Sequence, residues 1–282
     1  MGAKYLFYSV TCFAVVNASV KELSHLHFSQ VVFFRALISL VLCTWGIRQK
    51  GISFLGNNRR LLIGRGVAGT IALSLFFYVL QTLPLATAVT LQYLSPIFTV
   101  FWAHFLFREK ASLAQWLFFC GGFLGVYLIQ GYDPRVDMTT ALIGVVSAMA
   151  SGLAYTFVRR LKSTDDELVI IFYFPMITLP VMFPLMAKHW IPPNLWEAGL
   201  LLAIGIATQG GQIFLTRAYG LRKAADIGLV NYMGVLYAVA MGWFLFGEPL
   251  GLIASLGILL ILASITGGQF WVKRMERKRL SA

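Results

Sequence analysis

The chain predicts an all-α integral membrane protein with ten transmembrane helices, arranged as two inverted five-helix repeats. Three observations carry that prediction. Hydrophobic residues make up 59% of the 282 residues and charged residues only 12%, about half the charge of an ordinary soluble domain. The chain nearly repeats itself, without gaps, at an offset of 139 residues: 61–68 answers 200–207, Tyr93 answers Tyr232, and Phe105-Leu106-Phe107 with Glu109 answers Phe244-Leu245-Phe246 with Glu248. The two copies differ in charge where a bilayer would require it. The link Arg108-Glu109-Lys110 carries two basic residues, and its counterpart Gly247-Glu248-Pro249 carries none. Basic loops stay on the cytoplasmic side, so the halves are expected to cross in opposite senses, as in carriers built from inverted repeats.

A spanning helix needs about 20 apolar residues. In the first repeat, residues 1–134, such runs cover 3–23, 28–47, 61–82, 85–107 and 112–131. In the second, residues 135–282, they cover 140–160, 168–188, 196–217, 224–246 and 250–271. The first run lacks a small-residue cleavage pattern and is expected to stay as a helix. Residues 51–60 form a polar, Gly-containing break between the second and third helices. Pro96 inside the fourth helix, and Pro175, Pro180 and Pro184 in the seventh, remove helix donors and should kink their helices. Asp133-Pro134-Arg135 makes the turn between the repeats, and Pro192-Pro193-Asn194 separates the seventh and eighth helices.

Charge sets the orientation. Of 23 Lys and Arg residues, Lys21, Arg135 and Lys188 fall on the outer side, and Arg35 lies within the second helix. The other nineteen, Arg65 among them, fall on the inner side, so both termini are expected in the cytoplasm. Short loops suggest a bacterial inner membrane. The net charge of +12 reads as this topology signal. The basic residues flank apolar runs and form no interleaved basic-aromatic motif or zinc-finger spacing, so nucleic acid is not an expected partner. Cys12, Cys43 and Cys120 show no Cys-x-x-Cys spacing and read as small buried hydrophobes. No cofactor or metal is implied.

Ten helices in two inverted halves, the Phe-Leu-Phe-x-Glu endings of helices four and nine, and Ser95-Pro96 within helix four together resemble the drug/metabolite transporter superfamily, and within it the tandem EamA-domain proteins. The Phe33-Phe34-Arg35 stretch and Arg65-Gly66 are similar to branches that include S-adenosylmethionine carriers and the animal organic-anion carriers of solute-carrier group 35 G. The resemblance implies a secondary transporter, not an enzyme. Its superfamily moves amino acids, nucleoside-like compounds, sugars, nucleotide-sugars and organic anions. A non-transporting membrane partner or sensor on the same fold is the alternative.

Inverted-repeat carriers bind substrate near the midplane between the halves. Polar residues inside spans are therefore the candidates, because lipid makes them costly. Arg35 is the sharpest. Placing Arg near a helix centre costs on the order of 3 kcal/mol, and its counterpart Phe174 is apolar, so the repeated scaffold does not require the charge. It reads either as an anion-binding group or as a structural donor to a neighbouring helix. Gln209 and Gln212 share one face of helix eight beside Gly210 and Gly211. Gln92-Tyr93 and Asn231-Tyr232 are equivalent under the offset and could converge on a central site. Asn17, Tyr78 and Tyr155 complete the candidate substrate-binding set. None of the eleven acids sits at mid-depth, with Glu22 and Asp226 nearest. The site is thus expected to be neutral to positive, suited to a zwitterion or organic anion. Gly121 and Gly125 permit close helix contact, either within the chain or as the face of a homodimer.

Overall fold

The computed structural model describes residues 2–108, 113–132, 134–221 and 233–280. Among the described residues it holds eleven α-helices and no strand. They are α1 (Gly2–Glu22), α2 (Phe28–Lys50), α3 (Arg59–Thr82), α4 (Leu85–Gln92), α5 (Ser95–Phe107), α6 (Leu113–Tyr132), α7 (Met138–Leu161), α8 (Glu167–Lys188), α9 (Leu195–Leu221), α10 (Met233–Phe246) and α11 (Leu252–Leu280). Six spans are long and apolar enough to cross a membrane: α2, α3, the joined α4 and α5, α7, α8 and residues 195–215 of α9. Large apolar side chains stay open on the outside, including Trp45, Leu117, Phe244 and Leu252. Monomers in water rarely expose apolar surface on that scale, whereas lipid accepts it.

Local chemistry sets the helix ends. The Asn58 side chain accepts the Leu61 N–H and starts α3. Asp137 does the same for Thr140 at the start of α7. Gly51 ends α2 in the left-handed region at φ 65°, where a residue without Cβ is unstrained. The run 85–107, read from sequence as one helix, divides at Tyr93 and Leu94. The cause is Pro96, which has no N–H to give the Gln92 carbonyl one turn back. The chain tightens there, with Leu94 N donating to Leu91 O at 3.0 Å. The prolines of α8 leave that helix continuous over Glu167–Lys188.

The main packing partners are α3 with α7, α1 with α9, α2 with α8, and α6 with α11. Each pair joins an early helix to a late one. Under the 139-residue offset the first two pairs exchange, and the last two map onto themselves. The largest apolar cluster fills the zone where α3, α4 and α7 meet, around Phe77, Leu80, Leu85, Leu91, Val145 and Ala148. A smaller one, with Ile47, Leu62, Leu161 and Ile170, closes the region near the α2–α3 and α7–α8 links.

Glycines set some of the closest approaches. A Cβ on Gly125 would lie 2.6 Å from Ile261 Cγ1 and 2.8 Å from the Gly257 carbonyl, and one on Gly121 would lie 2.5 Å from Ser264 Oγ. Gly121 and Gly125 thus pack against α11 of the same chain.

Candidate functional site

Two arginines meet inside the bundle. Arg35 on α2 is only 8% exposed. Its guanidinium carbon stands 5.5 Å from the ring centroids of both Phe77 and Phe174. Arg65 on α3 places its own guanidinium carbon 5.1 Å from the same Phe174 ring. Phe174 is the residue that answers Arg35 under the repeat, so one half supplies the charge and the other supplies the ring it faces. Room for this arrangement comes from Gly69, one turn beyond Arg65. A Cβ there would fall 2.8 Å from Arg65 Nη1 and 2.9 Å from Phe174 Cδ2.

Polar neighbours are few and mostly occupied with one another. Arg35 Nε donates to Thr208 Oγ1 of α9 at 3.1 Å. One turn along α2, Ser39 Oγ donates to Gln209 Oε1 at 3.1 Å. The other end of that amide, Nε2, reaches Cys43 Sγ at 3.6 Å. Arg35, Ser39 and Cys43 recur every four residues, so α2 turns a single polar stripe toward α9. Tyr155 on α7 lies within electrostatic reach of both arginines and keeps about half its surface open (51%).

Three guanidinium nitrogens have no partner: Arg35 Nη1, Arg65 Nε and Arg65 Nη1, all sealed from solvent. No ion pair joins either arginine to a carboxylate among the described residues. Burying an ion costs several kcal/mol even after relaxation. A cation–π contact returns only about 0.5–2 kcal/mol, so the phenyl rings do not offset the burial. The two like charges also repel one another across the Phe174 ring. What would compensate is negative charge presented to these three open nitrogens.

The sequence counted Arg65 with the basic residues of the inner side and not among the site candidates; the structure buries its Nε and Nη1 beside Phe174. Of the other candidates, Gln209 and Tyr155 join Arg35. Gln92 does not, because Ser151 accepts from its Nε2 at 2.7 Å and Ser147 donates to its Oε1 at 3.2 Å, which makes it a link to α7. Tyr93 reaches α10, where a Cβ on Gly234 would run into its hydroxyl. Tyr78 packs edge-on against Phe28 with centroids 5.8 Å apart. Asn17 and Gln212 are half-buried. Gly210 and Gly211 admit α1, with the Phe13 ring 3.1 Å from a Cβ on Gly211. Asn231, Tyr232 and Asp226 lie outside the described residues.

Polar ties join the sequence halves at both ends of the bundle. At one end Lys21 Nζ sits 2.9 Å from Glu248 Oε1, and Leu85 N donates to Glu248 Oε2 at 2.8 Å. The Gln30 side chain there gives and takes hydrogen bonds with the Ile191 backbone. At the other end Asp165 accepts from the Asn57 and Asn58 N–H groups, and Lys50 pairs with Asp166 at 3.3 Å.

The chain is similar to proteins of known name. The pseudopaline exporter CntI of Pseudomonas aeruginosa is 32% identical over 257 residues, 90% of each chain. Solute carrier family 35 member G1 of Homo sapiens is 27% identical over 258 residues, 84% of this chain and 70% of that one. A solved crystal structure superposes with a TM-score of 0.65 at 16% identity, covering 98% of both chains, a likeness of fold. The EamA-like transporter family matches twice, over residues 1–131 and 138–267. On the extent of that match, the chain belongs to the EamA-like transporter family.

Proposed function

We propose that this transporter carries a small anionic or zwitterionic metabolite, bound at Arg35 and Arg65 and passed between two inverted five-helix halves by alternating access. The observation that carries the reading is the set of three unpartnered guanidinium nitrogens, buried where helices of both sequence halves meet. A carrier needs its site where each half can release it in turn, and α2, α3, α8 and α9 meet that condition. The pairing of early with late helices under one offset supports a two-fold relation between residues 1–134 and 135–282. The basic inner links support cytoplasmic termini in a bacterial inner membrane.

CntI is named for pseudopaline, and another relative, from Rickettsia prowazekii, for S-adenosylmethionine. A charged, metabolite-sized cargo for this chain is consistent with both. Tyr155, half open beside the arginines, is assigned to orient it, and Thr208, Ser39 and Gln209 to hold Arg35 and its helix in place. The test is uptake into proteoliposomes of purified protein from a panel of labelled organic acids, amino acids and uncharged nucleosides. Saturable uptake of anionic or zwitterionic members is the expected result. Uptake confined to uncharged nucleosides, or to none of the panel, would overturn the reading.

A further inference from the structure

We infer that the site takes a substrate with two anionic groups at once, one held by Arg35 and the other by Arg65. This rests on the carrier reading above and narrows its substrate class. Two guanidinium groups share the Phe174 ring as neighbour, and each keeps at least one sealed N–H without an acceptor. A single carboxylate bound to one of them leaves the other unmet, with its burial cost intact.

The surrounding groups point the same way. Ser39, Gln209 and Cys43 satisfy one another, and Thr208 already accepts from Arg35. Neutral hydrogen-bonding capacity is thus largely used, and the unmet capacity is cationic. The repeat sharpens this further. The counterparts of Arg35 and Arg65 are Phe174 and Ile204, both apolar and buried. Both charges therefore depart from the duplicated pattern, and both do so in the same half. Phe174 stands against each of them, and it presents an apolar face to the carbon segment joining two anionic ends. A short α,ω-dicarboxylate has this chemistry.

The experiment measures binding to purified full-length protein in detergent, by thermal shift and calorimetry. The probes are α,ω-dicarboxylates from three to seven carbons and the monocarboxylates of matched length, tested on the wild type, Arg35→Gln, Arg65→Gln and Arg65→Lys. One chain length of dicarboxylate should bind at least about tenfold more tightly than its monocarboxylate. Either Gln variant should erase that preference by weakening dicarboxylate binding at least about tenfold, and Arg65→Lys should keep part of it. Size-exclusion profiles confirm that each variant is folded. Equal affinity for the two series, or a preference that survives both Gln variants, would overturn the inference. If monocarboxylates are bound and transported without a dicarboxylate preference, the two-charge inference falls and the carrier reading stands. If the protein transports no member of the broader panel, the carrier reading falls as well.

Discussion

Arg65 lies six residues into α3, about 9 Å along the axis at 1.5 Å per residue. That position explains why pattern reading counted it with the inner-side charges. It follows Arg59 and Arg60 within two turns, and a basic cluster at a span end reads as topology. Arg35 was legible because it stands alone in an apolar run. One signal could have found both: each replaces an apolar residue of the other repeat, Phe174 and Ile204. Charge added against the duplicated pattern is a stronger mark of a site than polarity shared by both copies. Gln92 illustrates the converse, since its amide serves to hold α7. The residue that makes the arginine pair possible, Gly69, has no sequence mark at all, because its use is an absence of atoms. Gly69→Ala should force Arg65 and Phe174 apart and cost about 1–3 kcal/mol through overpacking. Thermal unfolding measures it, and an unchanged midpoint would show that the pair has slack.

At the scale of elements, helix positions were largely legible, because a run of apolar residues between polar breaks has few alternatives in lipid. The exception is the division of 85–107 at Tyr93 and Leu94. Pro96 marked a disturbance, but whether a proline bends a helix or splits it depends on packing around the freed carbonyl. The ends of α5 and α10 show the repeat diverging under a different pressure. Both are followed by a left-handed residue, Arg108 at φ 53° and Gly247 at φ 60°. A side chain in that conformation costs roughly 1–2 kcal/mol, which glycine avoids. Arg108 keeps the strain and supplies a basic residue to its link. Arg108→Gly should therefore raise the unfolding midpoint by the equivalent of about 1 kcal/mol, while Gly247→Arg should lower it. Equal effects of the same sign would show that this backbone angle does not control stability at these links.

The whole molecule is organised by pairings between early and late helices, with polar ties at both ends and the arginine pair between. Opposite orientation of the halves is the property on which alternating access depends. It has a direct consequence for single cysteines placed at Lys110 and Gly247, positions that follow the two Phe-Leu-Phe segments. In intact cells an impermeant thiol reagent applied outside should label the cysteine at 247 and spare the one at 110. Equal labelling of the two would place both links on one side and remove the inverted arrangement. Neither the cross-half packing nor the ties Lys21–Glu248 and Asp165–Asn57 were visible in the sequence, since each joins residues more than a hundred positions apart.

On the proposed reading, Arg35 and Arg65 are kept for a ligand and not for the fold. The most direct measurement compares ligand-free stability with transport in Arg35→Leu and Arg65→Leu. Replacing a buried, uncompensated charge with an apolar side chain should stabilise the ligand-free protein, by about 1–4 kcal/mol, while flux of the anionic substrate falls to background. Variants that unfold earlier than the wild type yet still transport would contradict the claim and make the two arginines structural.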